Sequence, residues 1–162
     1  MKTEKIDHID HKILEFLVQN TRVPFTKISE ELKVSTGTVH VRVKKLMDSG
    51  VILGTNLNLD YVKLGFPVVA FVGIHLDRTN RNSTEIVMEK LKKIPFITVI
   101  QVTLGPYNVF CKVRAKDTFH IKEIIYSIDD INGVLRTESF ISMGEVVNDK
   151  RRLLDYMFQS LK

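Results

Sequence analysis

The sequence has few of the residues that stabilise extracellular or membrane proteins. It contains one cysteine, Cys111, and no tryptophan in 162 residues, so a disulfide within the chain is excluded. No apolar stretch approaches the roughly 20 residues of a membrane-spanning helix. The charged N-terminus does not resemble a signal peptide. We therefore expect a cytoplasmic protein in which Cys111 is a small buried residue rather than a reactive thiol.

Positive charge is concentrated at one place in the chain. The formal net charge is +5, yet residues 1–60 are almost neutral, with nine Lys or Arg against eight Asp or Glu. Residues 36–47 contain Arg42, Lys44, Lys45 and His40 but no acidic residue. A nearly neutral domain with one basic helix is what a surface facing a polyanion needs.

Two short helices are predicted in the first 33 residues. Residues 7–19 repeat apolar side chains at helical spacing, and Asp7 is placed to cap the N-terminus of this helix. Pro24 ends it, because proline restricts the preceding residue to an extended conformation. Thr26 is the expected N-cap of a second helix over residues 27–33.

A third helix and a β-hairpin complete the N-terminal pattern. Ser35 is the predicted N-cap of a helix over residues 36–49. Its buried stripe is predicted to consist of Val39, Val43, Leu46 and Met47. Residues 51–60 alternate apolar and polar side chains, which predicts a hairpin, the wing. The order predicts an N-terminal winged helix-turn-helix, in which two short helices are joined by a tight turn.

The outer face of the third helix carries the candidate DNA contacts. A recognition helix presents donors to base edges and phosphates while its inner stripe anchors it. The side chains left for the outer face are Ser35, Thr36, Thr38, His40, Arg42 and Lys45. Of these, His40 and Arg42 are the candidates for base or phosphate contact. A solvated surface helix has a similar polar face, so this pattern alone leaves that alternative open.

The second half of the chain predicts a ferredoxin-like domain. Strands are expected over residues 68–74, 96–104, 108–115 and 134–143, and helices over residues 84–94 and 118–128. Their order, β-α-β-β-α-β, makes the whole chain α+β. The predicted division is a DNA-binding domain over residues 1–60, a linker over 61–67, an effector and oligomerisation domain over 68–145, and a C-terminal segment over 146–162.

Two features of this second half predict assembly. Two helices cover only one face of a four-stranded sheet, so the other face should pack on a second chain and give at least a homodimer. A terminal amphipathic helix, predicted over residues 149–162, also needs an apolar surface to cover it. Its apolar face would carry Leu154, Met157, Phe158 and Leu161.

The N-terminal residues resemble the DNA-binding domain of the Lrp/AsnC, or feast/famine, transcriptional regulators. The matching positions are Asp7, Asp10, Ile13, Leu14, Leu32, Ser35, Val39, Arg42, Val43, Leu46, Gly50, Val51 and Ile52, with Val34 in place of a more usual leucine. The second half resembles the effector domain of the same family. This resemblance implies a regulator that binds operator DNA as dimers, often assembled into octamers, and responds to an amino acid or similar metabolite.

The resemblance also implies an effector site near a glycine-containing turn. The matching positions are Thr103, Gly105, Tyr107, Asn108, Thr137 and Ser139. A carboxylate would bind backbone N–H groups near Gly105, and an ammonium group would bind hydroxyls such as those of Thr137 and Ser139. Many relatives carry an aspartate where this chain has Asn108, so this chain lacks one negative charge that an ammonium group would contact. An ordinary turn over residues 105–108 is the structural alternative.

Other function classes find weaker support. The sequence contains no phosphate-binding loop, dinucleotide-binding motif or nucleophile elbow, so we expect neither an enzyme nor a bound cofactor. His8 and His11 could hold a metal ion, but a solvated helix face is the simpler interpretation. Two alternatives stay open: an enzyme similar to the sirohaem decarboxylases, which share this architecture, and a sensor or assembly module that does not bind DNA.

Overall fold

The first helix of the N-terminal region begins where a polar cap places it. The computed structural model describes residues 6–77, 81–149 and 151–159. It contains helices α1 (His8–Gln19), α2 (Phe25–Leu32) and α3 (Thr36–Asp48). The side chain of Asp7 accepts a hydrogen bond from the backbone N–H of Asp10, and the side chain of Asp10 accepts one from the backbone N–H of Asp7. This reciprocal capping box confirms the predicted start of α1.

The start of α2 differs from the prediction. Thr26 is not the N-cap, because the helix already begins at Phe25 and Pro24 occupies the cap position without a side-chain hydrogen bond. Proline favours this boundary since its φ, −62° here, is fixed near the helical value. The carbonyl of Thr26 instead accepts a hydrogen bond from the hydroxyl of Ser29.

Helix α3 has the predicted N-cap and most of the predicted inner stripe. The hydroxyl of Ser35 accepts a hydrogen bond from the backbone N–H of Thr38 at 3.0 Å. The buried side chains of α3 are Val39, Val43 and Leu46. The prediction for Met47 is wrong: it is 49% exposed, because one further residue turns the helix by about 100° away from Leu46.

The predicted wing hairpin is not formed. The described chain between α3 and residue 68 contains no strand, and residues 53–60 are exposed. Among the described residues, no strand pairs with the segment in which Leu57 and Leu59 alternate with asparagines. A two-stranded hairpin alone is marginally stable, so an alternating pattern without a covering surface is insufficient to form one.

Contacts divide the chain into two units. The first comprises Met1–Asn58 together with Val147–Lys162, and the second comprises Leu59–Val146. The first has a core built on Ile13, Ile28, Val39 and Val43. Helix α6 (Arg151–Gln159) belongs to this unit and packs against α1.

Helix α6 begins at Arg151, two residues after the predicted start of the C-terminal helix. Leu154 is half-buried, whereas Met157 is 49% exposed. Leu161 and the side chain of Phe158, which were also placed on the predicted apolar face, lie outside the described residues. No helix in the described parts of the chain is both long and apolar enough to span a membrane.

The second unit confirms the ferredoxin-like prediction. Its elements are β1 (Val68–Leu76), α4 (Arg81–Leu91), β2 (Ile97–Val102), β3 (Val109–Ala115), α5 (Thr118–Asp129) and β4 (Val134–Ile141). The four strands form one antiparallel sheet in the order β2-β3-β1-β4. This order is the one expected for two β-α-β halves whose first strands lie side by side.

Strand alternation gives the sheet two different faces. Successive side chains of a strand point to opposite sides. On one side, alternate residues of β1 and β3 pack with α4 and α5 into the core. Cys111 is fully buried there, and burial raises the pKa of its thiol to about 11. Its predicted place as a small core residue is confirmed.

Candidate nucleic-acid interface and effector site

The six residues predicted to contact DNA all lie on the exposed or half-exposed part of α3 and its cap. Ser35 is occupied as the cap, and the hydroxyl of Thr36 lies 3.0 Å from that of Ser29. The ring of His40 packs edge-on against Phe25, with 4.6 Å between the ring centroids. Contact with DNA by these residues stays a prediction.

Arg42 differs from the others because its guanidinium is held by the protein itself. Its Nη1 atom donates to Asp7 at 2.6 Å and to Asp10 at 2.8 Å. The side chain of Asp10 is only 2% exposed, so Arg42 supplies the cation that a buried carboxylate requires. The Arg42 guanidinium also lowers the pKa of Asp7 below its ordinary value.

This ionic cluster joins the start of α1 to the middle of α3. It was not predicted, because the two acids lie 35 and 32 residues from Arg42 in the sequence. An available signal was that Asp7 and Asp10, three residues apart, bracket the first turn of an amphipathic helix. With one cation and two carboxylates the cluster has a net charge of −1, so it offers no net attraction to phosphate.

Beside the cluster, the outer face of α3 forms a shallow concavity of about 560 Å³. It is lined by Asp7, Gly37, Thr38, Val41, Arg42 and Lys45. Lys44 and Lys45 are both exposed on α3, and Lys45 lines the concavity. The outer face of α3 therefore has no side chain at Gly37, an apolar side chain at Val41 and cations at Lys44 and Lys45. Such a face suits close approach to a polyanion.

In the second unit, the predicted effector turn is closed by its own residues. The hydroxyl of Thr103 donates to the carbonyl of Tyr107 at 2.7 Å, and its backbone N–H donates to the carbonyl of Asn108. The side-chain oxygen of Asn108 accepts from the backbone N–H of Leu76 at 2.9 Å. Thr103 and Asn108 thus fix the turn, while Gly105 is exposed with open space at its Cβ position.

Tyr107 lies over the other face of the sheet, which α4 and α5 do not cover. A Cβ atom at Gly73 would come within 2.5 Å of the Tyr107 ring, so this approach requires glycine. The Tyr107 hydroxyl donates to Glu138 at 3.0 Å, and this hydrogen bond lowers the pKa of the carboxyl. Arg136 and His75 lie 2.8 Å and 3.3 Å from the same carboxylate. Sequence reasoning missed Glu138 and the Tyr107, Arg136 and His75 side chains gathered around its carboxylate, because most of these contacts are non-local.

The structure does not bring all six predicted effector residues onto one surface. Thr137 pairs with Ile74 and Ser139 with Val72, so both point to the side of the sheet that carries the helices. Tyr107 and Glu138 lie on the opposite side. Thr103, Gly105, Tyr107 and Asn108 are adjacent, and a ligand would have to reach around β4 to contact the two hydroxyls as well.

Comparisons with known proteins match both units. Residues 6–47 match the AsnC-type helix-turn-helix domain, and residues 69–152 match the Lrp/AsnC ligand binding domain. The chain belongs to the Lrp/AsnC family of transcriptional regulators. The regulatory protein AsnC of Haemophilus influenzae is 35% identical over 139 residues, which are 85% of this chain and 91% of that protein.

Solved structures of the family have the same fold. Escherichia coli AsnC superposes with a TM-score of 0.84 at 28% identity and covers 90% of this chain and 97% of its own. A transcriptional regulator of Neisseria meningitidis, solved in complex with L-Met, gives a TM-score of 0.85 at 20% identity, over 90% and 95% of the two chains. These similarities favour a DNA-binding regulator over a decarboxylase-like enzyme, since the named relatives are regulators.

Replacing Arg42 with alanine should destabilise the first unit. The substitution leaves the buried carboxylate of Asp10 without its cation, and we expect a loss of about 1–3 kcal/mol in the free energy of unfolding. Urea unfolding followed by circular dichroism measures it. Lys45→Ala, on the same helix but exposed, is the control and should change stability by less than about 0.5 kcal/mol. Equal unfolding midpoints for the two variants would contradict the assigned role of Arg42.

Proposed function

We propose that this regulator reads operator DNA with the outer face of α3 and binds an amino acid at the turn of its second unit. The observation that carries the proposal is the face formed by Gly37, Thr38, Val41 and Lys45, which is outside the core and next to a capped helix N-terminus. Helix N-termini and small side chains let phosphates approach backbone N–H groups. Acting on DNA, the protein would work in the cytoplasm.

The positive charge for DNA binding is assigned to Lys44 and Lys45. The charge of Arg42 is neutralised by the carboxylates of Asp7 and Asp10. We therefore assign Arg42 the role of positioning α3 against α1, in addition to its predicted contact with DNA. The lysines attract phosphates without sequence preference, and their contribution falls as salt rises. Selection of duplexes from a random pool by the purified protein tests the function. A pool that is not enriched over several rounds would contradict it.

Gly37 gives a sharper test, because nothing within the chain requires glycine there. A Cβ atom would meet only the Ser35 hydroxyl, at an ordinary 3.7 Å. Gly37→Ala should therefore stabilise the unit by about 0.5–1 kcal/mol through helix propensity. It should nevertheless weaken binding to the selected duplex by about tenfold, because the added methyl group separates the helix from the DNA. Higher stability with unchanged affinity would remove Gly37 from the interface.

An amino acid fits the second unit as a ligand for two reasons. The matching family model is a ligand-binding domain, and a structural neighbour is in complex with L-Met. The turn over residues 103–108 supplies an exposed backbone at Gly105 that could receive a carboxylate. Since Thr103 and Asn108 already bond within the turn, we assign contact to the backbone of Gly105 and to the Tyr107–Glu138 pair.

Gly105→Asp should remove the effector response and leave folding and DNA binding intact. The added carboxylate occupies the open space at Gly105 and repels the carboxylate of the ligand. DNA affinity is measured with and without each member of an amino-acid panel. Gly144→Asp is the matched control, because Gly144 is also exposed with open space at its Cβ position. A full response from the Gly105 variant would exclude the turn from the site.

We further propose that the uncovered face of the sheet is the contact between two copies of the chain. Among the described residues of this unit, no helix packs on that face. It carries an aromatic cluster of Phe71, Tyr107, Phe110 and Phe140, whose neighbouring rings are 5.9–6.3 Å apart. Clusters of this kind are enriched at stable interfaces. A twofold dimer would present two copies of α3 to one operator, and octamers would need a further contact.

Phe140→Glu should convert the dimer to a monomer without unfolding it. Phe140 is 48% exposed in a single chain, so a charge there costs the monomer little, but it would be desolvated in the dimer. Sedimentation velocity measures the mass. Phe119→Glu is the control, since Phe119 is 80% exposed on α5 and away from this face. A dimer that survives the Phe140 change would place the interface elsewhere.

A further inference from the structure

Val41 is an apolar side chain at the centre of the outer face of α3. It is 69% exposed. Each residue of an α-helix is rotated by about 100° from the last, so residues two apart lie on nearly opposite sides. Val41 is two residues from both Val39 and Val43, which are buried in the core. It therefore points directly away from the core, between Gly37 one turn earlier and Lys45 one turn later.

Valine at this position has two energetic costs for the isolated unit. Its branched Cβ lowers helix propensity relative to alanine. Its exposed methyl groups gain no burial energy within the unit. In the described chain, neither cost is offset by a core contact of Val41. Polar or charged residues occupy the other positions around the concavity, apart from Gly37.

In a major groove, one base presents an apolar group at its edge. That group is the 5-methyl of thymine, and small apolar side chains pack against it. The N-terminal half of a recognition helix is the part that contacts base edges, and Val41 is within it. Because Gly37 has no side chain, the helix could approach the DNA closely enough for Val41 to contact the base edges in the groove.

Arg42, the residue after Val41, is the other side chain in this part of α3 that could contact a base edge. A bidentate contact to guanine needs a guanidinium that can turn toward the base, whereas Nη1 of Arg42 is bonded to both Asp7 and Asp10, which holds the group toward α1. We infer that Val41 is a specificity-determining residue that selects thymine by packing on its 5-methyl group. This inference rests on the proposed DNA-binding function and adds the identity of one base in the operator.

The test removes the methyl group from the DNA and the side chain from the protein. A duplex is selected with the wild-type protein, and each thymine is replaced in turn by deoxyuridine, which lacks only the methyl group. A dimer would contact two equivalent halves of the duplex, and we expect one sensitive thymine in each half. Replacing that thymine should lower affinity about fourfold, the effect of losing one buried group the size of a methylene. Val41→Ala should bind the thymine and uracil duplexes equally at that position.

The controls separate this inference from the function on which it rests. Val41→Ala should fold at least as stably as the wild type, because alanine is the better helix former. Val62→Ala removes another valine that is 63% exposed, in the second unit, and should keep the preference for thymine. Lys45→Ala should weaken binding to every duplex and reduce its salt dependence, with that preference intact.

Three outcomes would overturn the inference. If wild-type binding is strong but no thymine is sensitive to loss of its methyl group, Val41 does not read that group and the DNA-binding function stands. If Val41→Ala retains the full preference for thymine over uracil, another residue reads the methyl group. If no duplex is enriched at all, the proposed function fails and the inference fails with it.

Discussion

A carboxylate that is nearly inaccessible to water needs a cation beside it, and Asp10 obtains one from Arg42. The same carboxyl group closes the capping box with Asp7 at the start of α1. One cluster therefore fixes where α1 begins and how α3 is rotated against it. The inner stripe of α3 fixes that rotation from the other side, because its branched side chains pack in the core around Ile13 and Ile28.

This arrangement decides which groups are left for DNA. The charge of Arg42 is used within the unit, so phosphate attraction falls to the lysines that follow it. The outward face keeps a glycine, a threonine and a valine where the helix is closest to its capped N-terminus. In the proposed function, such a face would recognise DNA through close backbone approach and apolar contact more than through long charged side chains.

In the second unit, the two faces of the sheet are covered differently. One face is closed by α4 and α5 over a core that includes the inert thiol of Cys111. The other holds the aromatic cluster, with Tyr107 seated against Gly73 and bonded to Glu138. The turn beside it is closed by the side chain of Thr103 and joined to β1 by the side chain of Asn108. Ligand recognition and assembly would therefore share neighbouring surfaces, which offers a physical route for one to affect the other.

The sequence by itself determined the features that depend on neighbouring residues. The caps Asp7 and Ser35, the inner stripe of α3 and the β-α-β-β-α-β order follow from local hydrogen bonding and periodicity. Only the tertiary structure decided the partners of Arg42 and the pairing of Tyr107 with Glu138, which join residues more than 30 positions apart. It also overturned the wing, because an alternating pattern becomes a strand only when another strand or an apolar surface is there to receive it.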